Sequence, residues 1–112
     1  AEHNVSLMRE LKRIYVTFEE LPGVPDRLLA EVLRGIDREV IVKGLTGAAA
    51  EVKTKVLANI PGRLRMMVDD EVKVREQSDD PAAGADATAA RRVIMQRVRD
   101  ELRRMRTYAE GA

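Results

Sequence analysis

Two segments 24 residues apart, EVLRGIDREVIV from Glu31 and KVLANIPGRLRMMV from Lys55, carry one pattern: Val-Leu, an Ile three positions after the Leu, a break, and a second apolar run. Each run is short. Isolated helices below ~12 residues are marginal in water, because the first turn fixes many dihedrals for one hydrogen bond, so such pieces hold only when stacked on one another. Repeated helix pairs of this kind predict an all-α fold of about six short helices in an armadillo-like right-handed superhelix. Only 3% of the residues are aromatic and none is Trp, so Leu, Val, Ile, Met and Ala must do the packing, a mixture that favours helices over sheets. A chain of 112 residues, 45% of them hydrophobic, fits one domain with a modest core.

Along the chain, residues 1–20 read as an N-terminal amphipathic helix. Leu7, Met8, Leu11, Ile14, Tyr15 and Phe18 recur at helical spacing, with Arg9, Glu10, Lys12 and Arg13 opposite. LPGVPD at 21–26 breaks it, and Pro25 or Asp26 opens a second helix that buries Leu28, Leu29, Val32, Leu33 and Ile36. Asp37 caps a third helix carrying Val40, Ile41 and Leu45, which Thr46 and Gly47 end. A fourth helix over 48–58 turns Val52, Val56 and Leu57 inward. Asn59 is placed to cap a charged helix over 61–75, opened by Pro61, with Leu64, Met67, Val68 and Val72 on its inner face. The helix-pair repeats thus occupy 21–75. Residues 76–88, acidic and without a large apolar side chain, predict a flexible loop. An Arg-rich C-terminal helix over 89–107 follows, its inner stripe Ile94, Val98, Leu102 and Met105. All of these parts are expected to form one domain.

Charge is balanced overall, 20 basic against 19 acidic residues, so no global field argues for nucleic acid or anionic lipid. The absence of cysteine removes disulfides and thiolate metal sites and fits a cytosolic setting. Apolar runs fall far below the ~20 residues of a membrane helix, and the N-terminus has no signal-peptide core. A first residue of Ala points to a processed or partial chain with a larger parent.

Chemistry finds little to work with. The single histidine, His3, lies at a terminus, and no phosphate loop, His-Glu-x-x-His or nucleophile elbow occurs. Asp69, Asp70 and Glu71 are adjacent, and adjacent residues on a helix point ~100° apart, so they cannot converge on a metal. No enzyme, metal or cofactor is expected. What stands out is the outer stripe of the charged helix, Arg63, Met66, Asp70 and Lys73, spaced three, four and three residues apart. Such a stripe either reads a partner of opposite pattern or is a solvated face whose exposed pairs are worth ~0–1 kcal/mol. Residues 89–106 hold seven arginines and two acids, yet no aromatic interleaves them to stack on bases, which argues against nucleic-acid binding.

The stretch FEELPGVPDRLLAEVLRGIDREVIVKGLTGAAAEVKTKVLANIPGRLRMMVDDEV resembles the C-terminal domain of the flagellar motor switch protein FliG. The family's motifs fall on Phe18, Glu19 and Leu21; on Asp26 and Arg27; on Leu33, Ile36 and Asp37; on Leu45 to Ala48; on Lys55, Asn59 and Ile60; and on Arg63 with Asp70 and Glu71. The resemblance implies a non-enzymatic rotor component at the cytoplasmic face of the inner membrane, in the flagellar basal body. Arg63, Asp70 and Glu71 would contact the cytoplasmic loop of a stator protein of the MotA/PomA type and receive torque, serving motility and chemotaxis. Other rotor switch proteins, and further copies in a ring, would be its remaining partners. The family's hinge falls on Tyr15, Val16, Thr17 and Phe18. Three departures mark a divergent member or a paralogue: Thr46 stands for a family Lys, the hinge motif is altered, and a loop holding DDPAAGADA replaces a Gly-Pro-Val-Arg turn, leaving Arg91 or Arg92 to supply its basic residue. Two alternatives stay open. One is a regulatory helical domain similar to that of MgtE-type magnesium transporters, and the other is a FliG-like interaction module outside the flagellum.

Overall fold

The computed structural model describes residues 16–111, with side chains through 105. Among these residues every regular element is helical: a 3₁₀ helix (Phe18–Gly23), then α1 (Asp26–Arg34), α2 (Arg38–Leu45), α3 (Ala50–Ala58), α4 (Gly62–Glu76) and α5 (Ala83–Gly111). The amphipathic stripe Leu7, Met8, Leu11 and Ile14, together with His3 and Tyr15, lies outside the described residues.

The 24-residue offset seen in the sequence is kept in the backbone. α1 and α3 both run nine residues, and they begin at Asp26 and Ala50; α2 and α4 begin at Arg38 and Gly62. The turns match as well. Gly35 N–H donates to Val32 C=O and Ile36 to Leu33, while Asn59 donates to Val56 and Ile60 to Leu57. In both copies the turn is closed by the same side chains, since Ile36 and Ile60 are buried directly after it. The second helices then diverge in length. Thr46 ends α2, and Gly47 follows at φ 75°, a left-handed turn that suits glycine. At the equivalent positions α4 carries Asp70 and Glu71 and continues to Glu76.

Helix α2 is central, packed by α4 on one side and α5 on the other, while α1 also meets α5 and α3 meets both the 3₁₀ helix and α4. Leu21, Leu29, Ile41, Leu45, Val52, Val56, Val68, Ile94 and Val98 are fully buried between them. Contact between α2 and α5 is close at Gly44, where an added Cβ would stand 2.8 Å from Ile94 Cδ1.

Several expectations are corrected. The first helix does not continue to Glu20: Thr17 is extended, and it starts the 3₁₀ helix through a capping box in which Glu20 accepts from the Thr17 N–H at 2.9 Å. Asn59 is the C-cap of α3, not the N-cap of α4, a place taken by Pro61. The acidic loop is shorter than 76–88, because α4 runs through Glu76 and α5 starts at Ala83. Asp80 accepts from the Ala82 N–H at 2.9 Å and starts the turn, and alanine's helix propensity carries α5 from there. Ala87 and Ala90 are small enough to be buried, so the first turns of α5 have an inner face without large side chains. Met105 and Met67 are exposed rather than internal. At 29 residues α5 is about 43 Å long and overhangs the shorter helices beneath it, while Met67 lies at the edge of the buried arc of α4.

Candidate protein-interaction face

Helix α4 begins where Pro61 presets φ, and its side chains sort by angle at about 100° per residue. Val68 and Val72 point into the core, with Leu64 half-buried beside them. Arg63, Met66, Asp70 and Val74 fall within one arc of about 100° on the opposite side. Met66 is 70% exposed and Val74 67%. Two methylene-rich or branched side chains left in water are the informative feature, set among charges that solvate the rest of the face.

Most charges along α4 are already matched inside the chain. Lys73 meets Asp69 one turn back at 3.0 Å, and that carboxylate raises the Lys73 ammonium above its ordinary value. Glu71 faces Arg38 of α2 at 3.5 Å, and Arg38 also donates to Met67 Sδ at 3.9 Å. Arg75 reaches Asp86 of α5 at 3.5 Å, with its buried Nε left without a partner. Glu76 accepts from Lys53 and, at 2.7 Å, from the Gly47 N–H. Burial pushes the Glu76 carboxyl up, but those two donors outweigh it and hold the group below its ordinary value. Arg65 is turned inward as a cap, donating to Leu57 C=O at 2.7 Å and Ile60 C=O at 3.2 Å. Arg63 and Asp70 make no ion pair among the described residues. A groove of about 710 Å³ runs beside this face between α2 and α4, with Val42, Leu64 and Val74 as its apolar lining and Arg38, Asp70 and Glu71 among its charges.

The site residues expected from the sequence therefore fall into two kinds. Arg63 and Asp70 are exposed on one arc, whereas Glu71 is half-buried and committed to Arg38. Thr46, where a family Lys was expected, is buried, and its Oγ1 donates to Val42 C=O at 2.8 Å. Arg91 cannot replace a basic contact residue: its Nε donates to Gly44 C=O and its Nη2 to Thr46 C=O, each at 2.9 Å, and its guanidinium lies 4.9 Å from the Phe18 ring centroid. Arg92 is exposed. Of the hinge residues, Val16 packs against the core, Thr17 is capped and Phe18 is buried beneath Arg91. Sequence reasoning missed both arginine caps, which read as surface charge, and the exposed Val74. Helical angle alone could have placed Val74 beside Asp70.

The model of the FliG C-terminal domain family matches residues 1–104. The chain is 31% identical to the flagellar motor switch protein FliG of Thermotoga maritima over 72 residues, which is 64% of this chain and 22% of that protein. It is 29% identical to the flagellar motor switch protein FliG of Rhizobium meliloti over 79 residues, 70% of this chain and 22% of that protein. The matched part is thus about a fifth of either relative's length. No solved structure matches the chain. Because the family match runs through the repeated helix pairs, the charged helix α4 and most of α5, this chain belongs to the FliG C-terminal domain family.

Proposed function

We propose that the chain is the C-terminal part of a flagellar motor switch protein, and that the outer face of α4 meets the cytoplasmic loop of a stator of the MotA/PomA type. The observation that carries this is the pair Arg63 and Asp70. They stand exposed two turns apart, while Asp69, Glu71, Lys73, Arg75 and Glu76 are each engaged within the chain. An acid on the stator would face Arg63 and a base would face Asp70, with Glu71 adding negative potential from behind its ion pair. Exposed contacts of this kind are worth ~0–1 kcal/mol each. That weakness suits a rotor, since each stator contact must be released on every step, and affinity differences are expressed mostly in the rate of release. Complementary charge still speeds encounter and sets register.

No catalytic step enters this reading. The parent would lie at the cytoplasmic face of the inner membrane, with other switch proteins and neighbouring copies as further partners. Thr17 and Phe18 would move with the helices that hold them, so in this reading the bending expected at Tyr15–Phe18 would fall ahead of Thr17.

The test is motility complementation with the full-length parent in a strain lacking its own copy. Arg63→Asp and Asp70→Arg should each leave flagellar filaments in normal number while stopping swimming, and a matching reversal on the stator should restore it. Normal swimming by both variants would make these charges a solvated face and remove the reading.

A further inference from the structure

Helix α5 turns a row of arginines away from the core. Ala87, Ala90, Ile94, Met95, Val98 and Leu102 are buried, and at about 100° per residue they define its inner sector. On the other half Arg92, Arg99 and Arg103 fall within about 40° of one another, along about 16 Å of helix. No acid of α5 falls within that arc. Other arginines of the helix are engaged: Arg91 is turned inward onto Gly44 and Thr46, and Arg104 meets Glu101 at 3.1 Å. Arg92 and Arg99 make no ion pair among the described residues. Arg103 reaches Asp100 at 3.5 Å, but Gln96 donates to the same carboxylate oxygen at 3.0 Å. The turns leading to Arg92 expose uncharged side chains on the same outer half, Ala85, Thr88 and Ala89, and Val93 beyond them is 46% exposed.

We infer that the outer side of α5 is a second interaction surface, separate from α4, and that it lies against an anionic lipid surface. α2 stands between α4 and α5, so an occupied α4 leaves this side free. No described helix is long and apolar enough to cross a membrane, so the contact is lateral, along the helix. The headgroup region takes basic and apolar side chains from one helix, and arginine stems reach phosphates while their methylenes stay among less polar groups. A nucleic acid would use the arginines but not Val93, and no aromatic side chain among residues 89–106 is there to stack on bases. Each arginine held near an anionic leaflet multiplies binding about fivefold. Arg92 and Arg99 together therefore supply on the order of a twentyfold gain, and Arg103 adds less because Asp100 already meets it. Contact of this strength is reversible and depends on the charge of the lipid.

Flotation of the chain with lipid vesicles tests this, using phosphatidylcholine alone and phosphatidylcholine mixed with phosphatidylglycerol in equal parts. Binding is expected to the mixed vesicles only, falling steeply from low to physiological salt as screening shortens the reach of each charge. Arg92→Gln with Arg99→Gln should weaken it on the order of twentyfold. Arg27→Gln with Arg34→Gln removes the same charge from exposed positions of α1 and should change it by no more than about threefold. Helical circular dichroism equal to that of the parent chain shows that each variant keeps its fold. Orientation has its own readout, because the chain has no cysteine: a fluorophore on Ala89→Cys should shift to the blue on mixed vesicles, and one on Arg27→Cys should not. No binding to mixed vesicles at low salt would overturn the inference. So would equal losses from the two double variants, which would make binding a matter of net charge alone. Displacement from the vesicles by a DNA duplex at equal phosphate concentration would also overturn it and assign the arginines to nucleic acid. The stator reading is judged separately, by Arg63 and Asp70 in the motility assay, and stands or falls without this result.

Discussion

Arg91 is the residue whose role departs furthest from what its charge suggests. It donates to two carbonyls at the C-terminal end of α2 and covers the Phe18 ring, so one guanidinium joins α5, α2 and the entry segment. A fork of donors suits that geometry and a lysine ammonium does not. Arg91→Ala should lower unfolding free energy by about 2–3 kcal/mol, the range for losing charged hydrogen bonds to half-buried carbonyls, and Arg91→Lys should recover less than half. Urea denaturation measures both, and a lysine variant as stable as the parent would show that charge alone matters. The carboxylates give a pH signature. Hydrogen bonds from Thr17 lower Glu20, Lys55 and Asn59 lower Asp26, Lys43 lowers Glu39, and Lys53 with Gly47 lowers Glu76. A pKa lower in the folded than in the unfolded chain adds stability above the unfolded value and loses it as pH falls through the folded one. The urea midpoint should therefore be flat from pH 7 to about pH 5 and decline below about pH 4. Asp26→Asn should make that decline shallower; an unchanged slope would place the linkage elsewhere.

Among the elements, α5 meets α2 most closely at Gly44. A methyl there meets Ile94, which has no exposed surface into which to retreat, so Gly44→Ala should cost about 1–3 kcal/mol despite alanine's better helix propensity. Gly62, in the first turn of α4, has nothing within 4 Å of an added Cβ, and Gly62→Ala should be neutral or stabilising by up to about 1 kcal/mol. Thermal melting of the two variants checks the contrast, and equal effects would mean that the close approach is not real. The same two helices mark the limit of what periodicity could tell. Val68 and Val72 are legible as core because they follow helical spacing, and Ile94, Val98 and Leu102 likewise. The start of α5 was not legible, since its inner residues Ala87 and Ala90 carry no hydrophobic signal and Asp80, Pro81 and Gly84 read as loop. Whether a side chain is buried beneath a small neighbour depends on the distance between helices, which no single segment encodes. The candidate face was half legible: spacing put Arg63, Met66 and Asp70 on one stripe, but the commitment of Glu71 to Arg38 needs the α2–α4 packing.

At the scale of the whole molecule, stability should be ordered by depth in the stack. α2 is covered on both sides and contributes Ile41, Val42, Gly44 and Leu45 to the interior, all buried. Among the described residues α4 is packed by α2 and α3 along its inner face, and its outer arc ends in Val74 and Lys73, both exposed. Amides exchange through local openings whose cost rises with the contacts broken, so opening α2 must separate it from both α4 and α5, while the last turns of α4 open by releasing fewer. Native-state hydrogen exchange should thus find the slowest amides in α2, from Val42 to Leu45, and faster exchange over residues 73–76 of α4. Glu76, tied to Lys53 and Gly47, limits how far that fraying runs, so Glu76→Gln should speed exchange in the last turn of α4 without changing α2. Uniform protection across α2 and α4 would mean that the stack opens as one unit. In that case α4 is no looser than the rest, its outer face is held as rigidly as the core behind it, and the partner proposed for that face would meet a preformed surface and lose little ordering entropy on contact.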